Sequence, residues 1–533
     1  MDLQGSFHVY DTTLRDGAQQ EGLNLSVADK LAIARQLDGL GVGFIEGGWP
    51  GANPKDTEFF RRASEELDLR HARLAAFGAT RRAGVAAADD PLVAALRDSG
   101  ASVVTLVAKS HDRHVELALR TTLEENLAMV RDTVTHLREE GQTVFLDAEH
   151  FFDGYRDNRD YALEVLRTAY GAGAEVLALC DTNGGMLPGW VSDVVHDVIE
   201  TTGVRVGIHC HNDTGCAVAN TLAAVDAGAT HVQGTINGYG ERTGNADLVS
   251  VVANLELKLD KQVLPAGLLG EATRIAHAVA EVTNFPPASR QPYVGTSAFT
   301  HKAGLHASAI KVDPNLYQHM DPVGVGNDMR LLVSDMAGRA SIQLKSRELG
   351  FDLTDSAEDR ELVTRVTERV KAMEQEGYTF EAADASFELL LVEEAEGVRP
   401  AYFDVESWRV ITETLTHARP GEEAVSEATV KLKAEDVRYV VTGEGNGPVN
   451  ALDAALRTAI GQAFPEVAKF ELIDYKVRIV DQGHGTDAIT RVLIETSDGE
   501  SSWVTVGVGH NVIEASWEAL IDGLTFGLRR HHR

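Results

Sequence analysis

His209 and His211 flank Cys210 at the end of an apolar run. Alternate residues of a strand project to one side, so two imidazoles at that spacing can share one cation. Alone, a His-x-His pair is a weak signal and reads as readily as two satisfied polar side chains. Other polar groups that end short apolar runs add weight: Asp11-Thr12-Thr13-Leu14-Arg15-Asp16-Gly17, then Glu149, then Asp181 and Thr182, and finally Asn237 to Asn245. Two nitrogens with hard oxygens from Asp16 and Asn245, and no thiolate, suit a divalent ion such as Mn²⁺, Mg²⁺ or Zn²⁺. Cys210 points away from the face of the two histidines and reads as packing.

The elements that must position these groups repeat through the first 280 residues as an amphipathic helix, a Gly-containing turn and a short apolar strand. The pattern is clearest at Leu37 to Glu46, Leu96 to Val107, Ala169 to Leu179 and Val225 to Ile236. The glycine after each helix is expected where a helix closes in a left-handed cap. Eight strands are predicted, near Phe7 to Asp11, Val42 to Glu46, Arg73 to Phe77, Ser102 to Val107, Val144 to Ala148, Val176 to Cys180, Arg205 to His209 and His231 to Ile236. Ser26 and Asp29 make a capping box for the helix that follows. The fold class is therefore α/β, a (β/α)8 TIM barrel. A doubly wound open sheet is the rival, but it does not require the count to stop at eight. In a barrel, strands 1 and 8 close the ring and strand 7 lies next, which makes Asp16, His209, His211 and Asn245 neighbours at the C-terminal mouth.

A chain of 533 residues needs more than one core. The excess of 81 acidic over 49 basic residues, a net charge of -32, argues against nucleic-acid and anionic membrane partners. Cys180, Cys210 and Cys216 lack disulfide or zinc-finger spacing, which suits a reducing compartment. Met1 to Tyr10 shows no basic region followed by an apolar stretch, and no apolar run has membrane-spanning length. A soluble, cytoplasmic protein is expected. The domains expected are a catalytic barrel over 1–285, linker subdomains over 286–406 and a C-terminal α+β domain over 407–533. In the last, Val441 to Leu456 aligns with Thr505 to Leu520 at an offset of 64, each placing a Gly-x-Gly turn before a helix. This duplication suggests a small sandwich-like domain able to hold a ligand, or a dimerisation module without one.

Taken together, DTTLRDGAQ at Asp11 to Gln19, HCHND at His209 to Asp213 and GYGERTGNADL at Gly238 to Leu248 resemble the isopropylmalate, homocitrate and citramalate synthases. These are metal-dependent barrel acyltransferases. The resemblance runs on through His301-Lys302-Ala303-Gly304-Leu305-His306 into the duplicated region, which is similar to their feedback-inhibition domain. Glu46 to Asp56, Phe77 to Arg82 and Asp147 to Tyr155 look most like the citramalate branch. The resemblance implies condensation of acetyl-CoA with a 2-oxo acid, pyruvate in that branch, followed by thioester hydrolysis, as a step of isoleucine biosynthesis. It also implies Thr182 on the substrate carboxylate, and Glu149 and His306 as bases assisted by Tyr317, with the last two supplied across a homodimer. An amino-acid inhibitor at the C-terminal domain is implied too, isoleucine in that branch and leucine in its rival.

Within this scheme Arg15, beside Asp16, is placed to stabilise a developing alkoxide, or else to pair with a barrel carboxylate such as Glu46. Leu106 is expected in the apolar wall of a small oxo-acid pocket. No P-loop is present for the CoA phosphates; Arg81, Arg82, Lys109 and Arg113 are candidates for them, or simple surface charge. His301 and His306 read alternatively as solvated loop residues. The rival functions are an isopropylmalate synthase acting on 2-oxoisovalerate, a metal-dependent aldolase or lyase on the same barrel, and a non-enzymatic sensor. The presence of Arg15, Asp16, Glu149, His209, His211 and His306 speaks against the sensor.

Overall fold

The computed structural model describes residues 6–310, 312–334, 338–354, 356–412, 425–480 and 488–532. Strands β1 (His8–Asp11), β2 (Phe44–Gly48), β3 (Arg73–Ala79), β4 (Val103–Lys109), β5 (Thr143–Glu149), β6 (Val176–Asp181), β7 (Val206–Cys210) and β8 (His231–Gly234) form a closed parallel barrel in chain order. It closes where β1 pairs with β8, His8 opposite His231 and Asp11 opposite Gly234. The fold is the expected (β/α)8 barrel.

Local signals explain how each strand is delivered. Ser26 Oγ accepts from the Asp29 amide at 3.2 Å while Asp29 Oδ2 accepts from the Ser26 amide at 2.8 Å, which starts the helix Val27–Leu40. That helix stops at Gly41, where φ is 87° and a Cβ would sit 2.5 Å from Pro265 Cδ. Backbone and space both demand glycine there, and the chain turns straight into β2.

Alternation along the strands sorts the side chains. The outward residues Val104, Leu106 and Ala108 of β4 join Val144, Leu146, Leu177 and Leu179 in the layer between barrel and helices. Inward, Tyr10, Phe44, Ala75, Val103, Phe145 and Val176 form a separate apolar plug, with Phe44 and Phe145 edge to face at 5.3 Å. Burying each such side chain contributes about 2 kcal/mol. The plug seals the lower barrel, so the polar inward residues Thr105, Asp147 and Gln233 stack above it, towards the mouth.

Two compact units are distinguishable: Met1–Phe299 with Met320–Asp328, and Thr300–His319 with Met329–Arg533. The second unit contains a short parallel pair, β9 (Thr300–His301) and β10 (Arg330–Leu331). Its helices Arg339–Glu348, Ala357–Gln375 and Asp384–Glu396 pack through Ile342, Val363, Val366, Phe387 and Leu391. Two copies of one motif follow. β11 (Phe403–Thr412), β12 (Ser426–Ala434) and β13 (Val437–Gly445) precede the helix Pro448–Ile460; β14 (Glu471–Ile479), β15 (Thr490–Ser497) and β16 (Ser502–Gly509) precede the helix Val512–His531. Both sheets are three-stranded and antiparallel, and the two helices share one core with them.

The glycines of the repeat are not turn residues as expected. They lie within β13 and β16, where strand backbone touches helix backbone. A Cβ on Gly443 would be 2.5 Å from Ala455 N, and one on Gly507 would be 2.7 Å from Ala519 N. Both members of each contact are offset by 64 residues, so the duplication preserves a close approach rather than a bend. No described helix is long and apolar enough to cross a membrane.

Candidate active site

A cavity of about 630 Å³ opens over the ends of the barrel strands, lined by Arg15, Asp16, Asp147, Glu149, Thr182, His209 and His211 with the apolar Trp49, Phe77 and Val107. Asp16 follows β1, and His209 and His211 come from the end of β7. The ligand atoms of these three lie within 4.8 Å of one another. His209 Nε2 is 3.1 Å and His211 Nε2 3.7 Å from Asp16 Oδ2. Asn245 Nδ2 donates to the same oxygen at 2.6 Å, while its own Oδ1 is buried without a partner. A half-turn of that amide brings a fourth ligand oxygen to the cluster. One carboxylate, two imidazoles and an amide oxygen fit a borderline or hard divalent ion.

The electrostatics agree with that use. Burial opposes the charge of Asp16, yet Arg15 and then His209 hold its carboxyl well below the usual range. Burial, and then the neighbouring His209, lowers His211 to about 4, so that ring is neutral at pH 7. Arg242 Nη2 lies 3.1 Å from His211 Nδ1. As a donor it favours the lone pair there and the proton on Nε2, so a cation at Nε2 requires the proton to move to Nδ1 and Arg242 to turn away.

Arg15 both pairs with Glu46 and lines the cavity. Its Nε donates to Glu46 Oε1 at 2.6 Å, its Nη1 is 3.3 Å from Asp16 Oδ1, and its guanidinium lies 3.8 Å above the Phe77 ring. Glu46 in turn accepts from the Tyr10 hydroxyl at 2.7 Å, itself 2.7 Å from Thr105 Oγ1. Across the barrel, Asp147 accepts from Gln233 Nε2 at 2.8 Å, and burial together with the charge of Glu46 raises its carboxyl to about 7. Glu149 ends β5 in an ion pair with Lys109. Thr182 Oγ1 accepts from the His150 amide at 2.8 Å, which leaves its own proton to donate into the cavity.

The remaining expected residues divide between the cavity and other places. Leu106 is wholly buried in the layer outside the barrel and does not line the cavity. Its neighbour Val107 does, because one step along a strand reverses the face; this corrects the expected apolar wall to Val107, Phe77 and Trp49. Arg81 and Arg82 line the same cavity, but Arg81 is engaged by Glu125 at 2.7 Å and Asp132 at 2.8 Å. Arg113 lines a separate depression with His111 and His114. His306 and Tyr317 belong to the second unit, where their rings stack 4.2 Å apart and Tyr317 is partly exposed. The sequence reading passed over Asp147 and Gln233. Polar residues two positions inside an apolar strand end, on the same face as Glu149 and Thr235, were the available signal.

Residues 6–277 match the HMGL-like family, 293–378 the homocitrate synthase post-HMGL domain-like family and 381–528 the LeuA allosteric (dimerisation) domain. Fold and site thus define an HMGL-like barrel joined to a LeuA-type allosteric domain. The (R)-citramalate synthase of Streptomyces coelicolor is 68% identical over 529 residues, 99% of this chain and 98% of that protein. That of a Synechocystis species is 48% identical over 534 residues, 98% of this chain and 96% of that protein. A probable 2-isopropylmalate synthase of Methanopyrus kandleri is more distant, at 33% identity over 525 residues and 98% of both chains. The chain belongs to the (R)-citramalate synthase family.

Proposed function

We propose that this chain condenses acetyl-CoA with pyruvate and hydrolyses the resulting thioester, releasing (R)-citramalate and CoA in the cytoplasm as a step towards isoleucine. The observation that carries the reading is the buried Asp16, His209 and His211 cluster in one cavity with Arg15, Glu149 and Thr182. Asp16, His209, His211 and the Asn245 amide oxygen would hold a divalent ion, Mn²⁺, Mg²⁺ or Zn²⁺. When bound, such an ion polarises the keto group of the oxo acid as a Lewis acid.

The chain's own groups do the rest. Thr182 donates to the substrate carboxylate and orients it. Arg15, immobilised by Glu46, faces the oxygen that gains charge as the new carbon–carbon bond forms. Glu149 takes the proton from the acetyl methyl, which must be close and aligned because it is a weak carbon acid. His306 and Tyr317 are assigned to the same proton transfer from the second copy in a homodimer. Water then cleaves the thioester, and the thiol of CoA departs. The small apolar wall of Phe77, Trp49 and Val107 suits the methyl of pyruvate.

We place the amino-acid inhibitor in the C-terminal region, where a cavity of about 570 Å³ is lined by Asn446, Gly447, Asn450, Asp453, Arg457 and Tyr475. An ion pair of Asp453 and Arg457 offers both charges that an amino acid needs. Release of CoA from acetyl-CoA, followed with pyruvate and with 2-oxoisovalerate, tests the reaction. Faster turnover with 2-oxoisovalerate would overturn the choice of pyruvate in favour of isopropylmalate synthesis. Calorimetric titration should find isoleucine binding in preference to leucine.

A further inference from the structure

Gln233 lies on β8, fully enclosed by the barrel, and every polar atom of its amide is committed. Its Oε1 is 2.8 Å from His209 Nδ1. Its Nε2 donates to Asp147 Oδ1 at 2.8 Å and lies 3.3 Å from His231 Nε2. The Asp147 carboxylate fixes which way the amide faces. Once Asp147 is ionised, above about pH 7, the reversed amide would set its oxygen against a carboxylate. With Nε2 held by Asp147, the oxygen must face His209 and accept from Nδ1–H. That leaves Nε2 as the nitrogen of His209 turned to Asp16 and His211.

We propose that Gln233, held by Asp147 and His231, is a positioning residue that locks the His209 ring with Nε2 directed into the metal cluster. The inference rests on the metal reading of that cluster. Asp147 and Gln233 come from β5 and β8, three strands apart around the ring, so the lock reaches across the barrel interior. Partners of ligating histidines typically govern metal affinity by 10- to 100-fold when lost. A structural filler would instead alter only the stability of the barrel.

The test is calorimetric binding of Mn²⁺ alone to the chelator-treated full chain, at a single pH about one unit above 7 where Asp147 is ionised, with thermal unfolding of the same samples. Gln233→Met keeps the volume but removes the acceptor, and the expected result is a Kd raised roughly 10- to 100-fold. Thr367→Val, which removes a buried hydroxyl bonded to the Val363 carbonyl in the second unit, should leave the Kd within threefold. The double substitution Gln233→Glu with Asp147→Asn reverses donor and acceptor between the two positions and keeps an acceptor against His209. It should restore the Kd to within threefold, and it decides the matter if Gln233→Met does not fold. Unchanged affinity in Gln233→Met, or lost affinity in the double variant, would overturn the lock. Failure of the unsubstituted chain to bind Mn²⁺ would instead refute the metal reading, and the lock with it.

Discussion

Replacing Glu46 with Gln asks whether Arg15 acts as a braced group or as a free one. Glu46 is inaccessible to solvent, and its oxygens take Arg15 Nε at 2.6 Å and the Tyr10 hydroxyl at 2.7 Å. Opposite charges some 4 Å apart attract by about 4 kcal/mol at an effective dielectric near 20. Gln forfeits that attraction but also removes the cost of burying a carboxylate, which offsets much of it. Asp16, 3.3 Å from Nη1, still faces the guanidinium. The net loss of stability should be about 1 to 2 kcal/mol, read from urea unfolding. Turnover should suffer more. The Gln oxygen can still accept from Nε but without the charge, so the guanidinium is held less firmly and is drawn towards Asp16, and a displacement of about 1 Å in a positioned group costs roughly 100-fold. Because Arg15 meets charge that develops during reaction, kcat and kcat/KM should fall together while KM for pyruvate stays put. Initial rates of CoA thiol release measure all three. A Glu46→Gln enzyme with kcat within threefold of the parent would refute the brace.

Val107→Ala enlarges the cavity wall and should raise the kcat/KM ratio of 2-oxoisovalerate to pyruvate roughly tenfold. Leu106→Ala should leave that ratio alone and cost about 2 to 5 kcal/mol of stability; the opposite outcome would reverse the two assignments. Asp147 binds its proton more tightly folded, at about 7, than unfolded, at 3.8, so its stabilisation is complete below 3.8 and is lost as pH climbs through 7. Asp147→Asn should therefore flatten the fall in urea midpoint between pH 4.5 and 8, and an unchanged slope would count against a proton held there. Burial disfavours the charge on His209, but Asp16 and then Asp147 raise it above 6.5. Mn²⁺ affinity should accordingly increase with pH above 6.5 by up to about tenfold per unit, and calorimetry showing no dependence would be contrary evidence. Gly443→Ala drives a Cβ into the backbone of the helix Pro448–Ile460 and should cost about 1 to 3 kcal/mol, whereas Gly447→Ala, with nothing within 4 Å, should be mild by thermal unfolding.

The barrel is legible because strands covered on both faces read as short apolar runs, and because helices stop where glycine adopts a left-handed backbone, as Gly41, Gly173 and Gly228 do. Its chemistry is legible at the points where those runs stop: Asp16, Glu149, Thr182 and His211 all stand at or just past a strand end. Within a run, sequence carries less. Leu106 and Val107 are both apolar, and a choice of one residue decides between the helix layer and the cavity. Asp147 and Gln233 are 86 positions apart, and only closure of the ring makes them partners. Gly443 fails for a related reason. A Gly-x-Gly before a helix looks like a turn in sequence, and the helix residue that forbids a side chain there lies on the next element.

The buried charges explain why these less legible residues matter. Asp16, Glu46 and Asp147 crowd one region of the barrel, while Arg15 and His209 supply the positive charge that their hydrogen bonds and ion pairs reach. Three carboxylates against one arginine leave an excess of two negative charges if His209 is neutral. That excess favours protonation, raising Asp147 to about 7 and His209 above its usual value. A divalent ion on Asp16, His209 and His211 would supply the same two charges and free both protons. Glu46 cannot share in this exchange, because Arg15 and Tyr10 already occupy it. The floor therefore pairs a fixed acid, Glu46, that braces Arg15 with a second, Asp147, that holds Gln233 against His209.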